Sequence, residues 1–472
     1  MDKRIQPVLA KFGLSSLRPG QADIIDAVLA GQDCLGVLPT GGGKTLCYQL
    51  PAAITGGLTV VVEPLLALMR DQVLRLQGLG AKRVVALNST LAPDTVTGIL
   101  QHLNQFNFLF IAPEMLQRPD VQAVLRRVRV QLMVVDEAHC IYQWGPDFRP
   151  AYLQLGQIRA AIQPRSVLAL TATAAAPVQA EIIKDLRLSG PVTVNISVDR
   201  PNLFLGVEQL LTDGERKARL LQLLGQLDGD AVVYCPTRKQ AEQLSETIQK
   251  KTGRTAAFYH ADLDAHTRTL RERQFQAGTI QVMCATSAFG MGVDKPNIRV
   301  VVYLGVPQTL TDYFQAIGRA GRDGQFAVSA LLYTPNDLVR AKQFADALPN
   351  QAVVDAVYAN PAAYSRTADP QIELISSYEH LGFTKAQVVQ QLTERLSVRA
   401  DGVQQVADYL QTSGCYRAAL MSSFDSSARE HDDTCCGVVA ADLRTSAGEK
   451  VRKASEISGW RDVFKEIFMN KR

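Results

Sequence analysis

The run Pro39-Thr40-Gly41-Gly42-Gly43-Lys44-Thr45 puts three glycines ahead of a cation and a hydroxyl, a combination suited to nucleotide phosphates. Glycines let backbone amides curl around phosphate oxygens without side-chain clash. Lys44 would place its charge on the terminal phosphates, and the Thr45 hydroxyl would ligate magnesium. Thr40, Gly41, Gly42 and Gly43 would form the cradle. The strict G-x-x-x-x-G-K-[ST] pattern fails, because Leu38 sits where its first glycine belongs. A second run, Leu132-Met133-Val134-Val135-Asp136-Glu137-Ala138-His139, is an apolar strand ending in two carboxylates. Asp136 would hold magnesium, and Glu137 would orient the attacking water or accept its proton. His139 could couple this site to a neighbouring domain. Each run alone has a plainer reading, a glycine-rich turn or a strand cap with solvated acids. Together they point to nucleotide hydrolysis.

A third group lies far downstream, in Tyr313-Phe314-Gln315-Ala316-Ile317-Gly318-Arg319-Ala320-Gly321-Arg322-Asp323-Gly324. The spacing of Arg319 and Arg322 predicts one helix face bearing two guanidinium groups. Such groups suit phosphate oxygens and can stabilise a transferring phosphoryl group. The arrangement predicts a site between two domains, one giving the cradle and acids, the other the arginines. Opening and closing of that cleft would drive movement.

The elements that must position these residues read as α/β. Leu35 to Leu38 looks like a buried strand before the glycines, and Leu46 to Leu50 like a helix start after them. β-branched runs recur at Leu58–Val62, Phe108–Ile111, Leu132–Val135 and Val167–Leu170, between helix-like stretches. That alternation predicts a parallel sheet covered on both faces. The pattern pauses near Asp199-Arg200-Pro201-Asn202 and resumes at Ala231–Tyr234, Ala256–Tyr259, Ile280–Met283, Val300–Tyr303 and Ala330–Tyr333. After about Asn336 strands fade, while Ala386–Leu396 and Val403–Leu410 look helical. The expected domains are therefore residues 1–203, 204–340 and a helical region at 341–472.

A chain of 472 residues, 47% hydrophobic and 20% charged, fits a globular protein with large cores. No apolar stretch approaches the ~18 residues of a membrane span, and the amino terminus lacks a signal-like apolar core. A cytoplasmic protein is expected, without membrane association. The net charge of +4 neither demands nor forbids nucleic acid, so any basic track must be local. Cys34, Cys47, Cys140, Cys235 and Cys284 read as reduced core thiols.

In order and spacing, these motifs resemble the RecQ DNA helicases of the second helicase superfamily, over about residues 8 to 340. The resemblance implies two tandem RecA-like domains, ATP and magnesium as cofactors, and 3′-to-5′ unwinding in DNA repair or recombination. Phe12-Gly13 and Leu17 to Gln21 resemble the adenine-reading motif, implying that Gln21 and Arg18 meet the base. Pro64 to Val73 resembles motif Ia, Leu170 to Ala174 motif III, and Tyr234 to Arg238 motif IV. Ala285 to Asn297 resembles motif V, and Gln315 to Gly324 motif VI, with Arg322 as finger and Arg319 on phosphate. Cys140 to Tyr152 resembles the aromatic-rich loop that senses single-stranded DNA. There Trp144 and Phe148 would stack on bases and Arg149 would meet phosphate, joined on the DNA face by Thr237, Arg238 and Thr286. Single-stranded and tailed duplex DNA are the implied partners, with a single-strand-binding protein as a candidate and a monomer expected. Four positions depart from the family: Pro146 replaces histidine, Ala316 glutamate, Leu14 an aromatic, and Glu63 a serine or threonine. A carboxylate at Glu63 would repel phosphate.

The family's four-cysteine zinc module is incomplete here. Cys415, Cys435 and Cys436 match three ligands, but Val439 stands at the fourth. Three thiolates do not close a structural zinc site. His431 is a substitute at unusual spacing, and zinc stays open against a decayed site. The stretch after Val439 is too short for a winged helix, which implies weak unwinding, and its basic end reads as a solvated helix. An RNA helicase and a non-catalytic DNA-binding scaffold are the competing readings. The aromatic loop favours DNA, and intact Lys44, Asp136, Glu137 and Arg322 favour an enzyme.

Overall fold

The computed structural model describes residues 3–78, 80–143, 149–289, 295–364 and 369–440. Trp144, Pro146, Phe148, the Gly290–Asp294 part of the motif V resemblance and the basic tail lie outside the described residues.

Two seven-stranded sheets organise the chain. The first comprises β1 (Cys34–Val37), β2 (Leu58–Val62), β3 (Val84–Leu87), β4 (Phe108–Ile111), β5 (Val130–Val135), β6 (Val167–Thr171) and β7 (Val192–Asn195). Their order is β3-β4-β2-β5-β6-β1-β7. The second comprises β8 (Leu203–Gln209), β9 (Asp230–Tyr234), β10 (Ala256–Tyr259), β11 (Val282–Ala285), β12 (Ile298–Leu304), β13 (Ala327–Tyr333) and β14 (Cys436–Gly437). Its order, β10-β11-β9-β12-β13-β8-β14, repeats the winding of the first. Every pairing is parallel. Both are RecA-like domains, although no repeat is visible in the residues themselves.

The strand sequences explain the architecture. β2, β4 and β6 are buried at every position, as strands covered by helices on both faces must be. Gly36 in β1 has a packing reason: a Cβ there would meet Ile24 Cδ1 at 2.6 Å. The Gln21–Ala30 helix therefore lies directly on β1, which brings its first residue to the phosphate loop.

The carboxyl-terminal region is helical. Its helices include Gln351–Ala359, Pro370–His380 and Lys385–Leu410, packed through Val354, Val357, Ile375, Tyr378 and Val388. The two helical segments read from the sequence are one helix of 26 residues. The segment around Cys436 then returns to the second sheet as β14, beside β8.

Candidate nucleotide site and cysteine cluster

Strand register brings the hydrolytic residues to one edge. Val37 pairs with Thr171, Ala169 with Val135, and Val135 with Val62. The carboxyl ends of β1, β6, β5 and β2 thus finish together, where parallel α/β sheets bind ligands. The phosphate loop leaves β1, Asp136 leaves β5, and Glu63 leaves β2 beside it.

The loop needs its glycines. Gly41 and Gly43 have φ of 80° and 78°, in the left-handed region. A Cβ on Gly42 would lie 2.8 Å from the Pro39 carbonyl, and one on Gly43 2.5 Å from Gln21 Nε2. The Gln21 amide donates to the Gly42 and Gly43 carbonyls at 3.0 Å each, and its Oε1 accepts from Arg18 N at 2.8 Å. The Arg18 guanidinium donates to the Gly41 carbonyl. Both residues expected at the base thus brace the phosphate loop.

Lys44 Nζ lies 2.7 Å from Glu137 Oε1. Asp136 Oδ1 accepts from Glu137 N at 2.9 Å. Glu137 itself has φ of 48°, a strained value for a residue with a side chain. That kink sends Ala138 N back to the Leu170 carbonyl at 2.8 Å and turns the Glu137 carboxylate toward Lys44. Burial raises Asp136 to about 6, despite Lys44 beside it. Burial also pushes Glu137 upward, but Lys44, His139 and Arg319 outweigh it and hold the carboxyl below its usual range. Of the two acids, Glu137 therefore gives up its proton more readily.

His139 links the two lobes. Its Nε2 accepts from the Gln315 amide at 2.7 Å, which leaves the proton on Nδ1. Nδ1 then faces Thr171 Oγ1 at 3.0 Å and Glu137 Oε2 at 3.4 Å. Burial lowers His139 to about 4, so the ring is neutral at physiological pH. The lobes also meet where Thr40 Oγ1 donates to the Gly318 carbonyl at 3.2 Å.

Arg319 and Arg322 do face this edge, but not from a helix. The helix Leu310–Ile317 ends at Gly318, and both arginines follow in the turn, so the expected shared helix face is corrected. Gly318 ends the helix and also admits Thr40, whose Oγ1 would be 2.8 Å from a Cβ there. Arg319 is buried and close enough to lower Glu137. The Arg322 side chain passes Gly41, its Cγ 4.0 Å from where a Cβ would sit.

Two of the expected DNA-facing positions, Thr237 and Thr286, follow strands at their carboxyl ends. Thr237 caps the Arg238–Thr252 helix after β9, accepting from Gln240 N. Arg238 is exposed and paired with Asp262, and Thr286 follows β11, its amide on the Tyr259 carbonyl. Arg149 Nη1 lies 3.6 Å from Glu114 Oε1.

The cysteine cluster gains its fourth donor from His431. Cys415 Sγ lies 3.6 Å from both Cys435 Sγ and Cys436 Sγ, and Cys436 Sγ lies 3.8 Å from His431 Nδ1. All four donor atoms fall within 4.8 Å of one another. A tetrahedron with Zn–S bonds of ~2.3 Å has edges of ~3.8 Å, so the set fits zinc. Val439, at the expected ligand place, instead packs on Gly206 in the second domain. His431 was legible only as an oddly spaced substitute, because the chain loops between it and Cys435. Arg200 and Arg417, which bind backbone carbonyls near both sites, belong to no motif and were missed.

Residues 18–182 match the family model for the DEAD/DEAH box helicase, and residues 215–324 that for the helicase conserved C-terminal domain. A probable ATP-dependent DNA helicase RecS of Bacillus subtilis (strain 168) is 38% identical, covering 99% of this chain and 98% of its own. The ATP-dependent DNA helicase RecQ of Haemophilus influenzae is 39% identical over 69% of this chain and 52% of its own, so about half of that relative is spanned. Among solved structures, the DEAD-box helicase Mss116 bound to ssRNA and UDP-BeF superposes with a TM-score of 0.60 at 19% identity, over 91% of this chain and 96% of its own. The helicase Lhr of Mycobacterium smegmatis, bound to ssDNA and AMP-PNP, gives 0.58 at 20% identity, covering 83% and 57%. At such identities the likeness establishes the fold alone. Paired with the motif geometry and the full-length relative, these matches place the chain in the RecQ family of ATP-dependent DNA helicases.

Proposed function

We propose that the protein hydrolyses ATP between its two RecA-like domains and uses closure of that cleft to move 3′-to-5′ along single-stranded DNA, separating duplexes in repair or recombination. The observation that carries this reading is the junction at the phosphate loop, where Thr40 meets Gly318 and His139 meets Gln315. Sites of both lobes converge on one nucleotide edge, so closure and hydrolysis share the same contacts.

The residues divide the work. Thr45 and Asp136 would hold magnesium, which when bound offsets charge on the phosphate oxygens. Lys44 would exchange Glu137 for a terminal phosphate, releasing the Glu137 carboxylate to orient water and take its proton. The Gln315–His139 contact fixes the imidazole tautomer that faces Glu137, so the general base is set only when the lobes are together. Arg319 and Arg322 would stabilise the phosphoryl group in flight. Thr237, Arg238, Thr286 and Arg149, with Trp144 and Phe148, would track the DNA strand. Cys415, His431, Cys435 and Cys436 would bind a structural zinc ion.

The test is phosphate release and strand displacement on tailed duplexes with wild type and Lys44→Ala. Hydrolysis stimulated by DNA in wild type and lost in the variant is the expected outcome. Unchanged DNA-stimulated release by Lys44→Ala would overturn the site assignment, and stimulation by RNA alone would favour an RNA helicase. Elemental analysis checks zinc, with one ion per chain expected.

A further inference from the structure

The turn that carries the two arginines is held by its own sheet, through Gly321 N on the Ile298 carbonyl at 2.8 Å and Asp323 paired with Arg299, and also by the linker between the domains. The Arg200 side chain donates to the Gly318 carbonyl at 3.2 Å, to Ala320 at 2.9 Å and to Gly321 at 2.6 Å. Those carbonyls flank Arg319 and run directly up to Arg322. Asn202 Nδ2 adds bonds to Gly321 at 2.9 Å and to Gln325 at 2.7 Å. Space is tight, since a Cβ on Gly321 would lie 2.6 Å from Asn202 Nδ2. One planar fork thus spans the carbonyls of Gly318, Ala320 and Gly321 around the two arginines.

The same linker is gripped from its other side. Arg417, 1% exposed, donates to Asp199 Oδ1 at 2.5 Å, to the Arg200 carbonyl at 3.0 Å and to the Leu203 carbonyl. Its remaining donors reach the cysteine cluster, with Nε 3.3 Å from Cys435 Sγ and Nη2 3.2 Å from the Cys435 carbonyl. Asp199 Oδ2 also accepts from Arg429 N at 2.8 Å, in the loop leading to His431 and Cys435. Hydrogen bonds therefore run without a gap from the cluster through Arg417 and Asp199 to Arg200, and from Arg200 to the arginine turn. The buried Arg417 guanidinium cannot drop its partners without a large desolvation penalty, which ties the cluster to the linker.

We propose that Arg200 is the positioning residue for Arg319 and Arg322, and that Arg417 transmits the state of the Cys415/His431/Cys435/Cys436 cluster to it. Nucleotide turnover is then governed in part by a site on the far side of the linker. This rests on the assignment of Arg319 and Arg322 to phosphoryl transfer.

The experiment measures kcat and KM for ATP at saturating single-stranded DNA in full-length Arg200→Met, Arg200→Lys, Cys435→Ala and the Arg200→Met/Cys435→Ala pair. Displacing a catalytic group by about 1 Å can cost about 10²-fold. Arg200→Met is expected to lower kcat by about that factor with KM changed less than about threefold. Arg200→Lys, unable to span three carbonyls, should recover part of the loss. Cys435→Ala should lower kcat in the wild-type background and add little to Arg200→Met, since both break one chain of contacts. Hydrogen exchange at the amides of residues 318–324 should quicken in Cys435→Ala. Full kcat in Arg200→Met, or multiplicative losses in the pair, would overturn the proposal. If Arg200→Met does not fold, Arg200→Lys carries the same kcat-against-KM comparison. Lys44→Ala, assayed alongside, separates the two levels: hydrolysis surviving in it sinks the nucleotide-site reading itself.

Discussion

Glu63 sits beside Asp136 at the head of the first sheet, 1% exposed, with Oε1 lacking a hydrogen-bond partner among the described residues. Burial, then the charges of Asp136 and Glu137, push its carboxyl well above the ordinary range, against the pull of Lys44. Its folded state holds a proton more tightly than its unfolded state. The stability it contributes is therefore complete below about pH 4 and is lost as pH rises through the folded value. Glu63→Gln should raise Tm by a few degrees at neutral pH, on the order of 1 kcal/mol, and make no difference in acid. Thermal melts of both proteins from pH 4 to pH 8 check this. The sequence showed Glu63 as an oddity that would repel phosphate; only register shows that it also crowds Asp136, the carboxylate proposed for magnesium. Asp136, Glu137 and Lys44 were legible because their chemistry dictates their spacing. Arg200 and Arg417 were not, because they recognise carbonyl oxygens, which every sequence supplies.

At the scale of elements, fully buried strands such as β2 and β4 were plain, being continuous apolar runs. The edge strands β3 and β7 are only partly buried and carry a weaker pattern. The arginine turn was misread because a spacing of three fits a helix, while Gly318 ends that helix first. The gap between the two helical segments read from the sequence ends at Gly402, inside one continuous helix. Its place there is a packing matter: a Cβ would lie 3.1 Å from both the Gln308 carbonyl and Thr309 Cγ2. Alanine in place of glycine normally favours a helix by roughly 0.5–1 kcal/mol. Gly402→Ala should instead lower stability, because the helix must lift from the second domain. Urea denaturation gives the sign directly.

For the whole molecule, the two sheets share one winding yet are chemically unlike, since one has the phosphate loop and acids and the other the arginines. Removing Arg322 should leave nucleotide binding within a few-fold and lower kcat by about 10³-fold or more, the usual worth of an arginine finger. A fluorescent ATP analogue measures the first quantity and phosphate release the second. An equal loss in binding would mean that Arg322 grips the ground state instead.

β14 lies along β8, with Cys436 opposite Leu205 and Gly437 opposite Gly206, and Leu205 N donates to the Cys435 carbonyl at 3.1 Å. The cysteine segment thereby shields the open rim of the motor's second half. A protein cut short before Thr434 would bare that rim as a template for another molecule's backbone. Such a truncation should self-associate at micromolar concentration in light scattering even when its motor motifs are complete, which would tie solubility to residues outside those motifs.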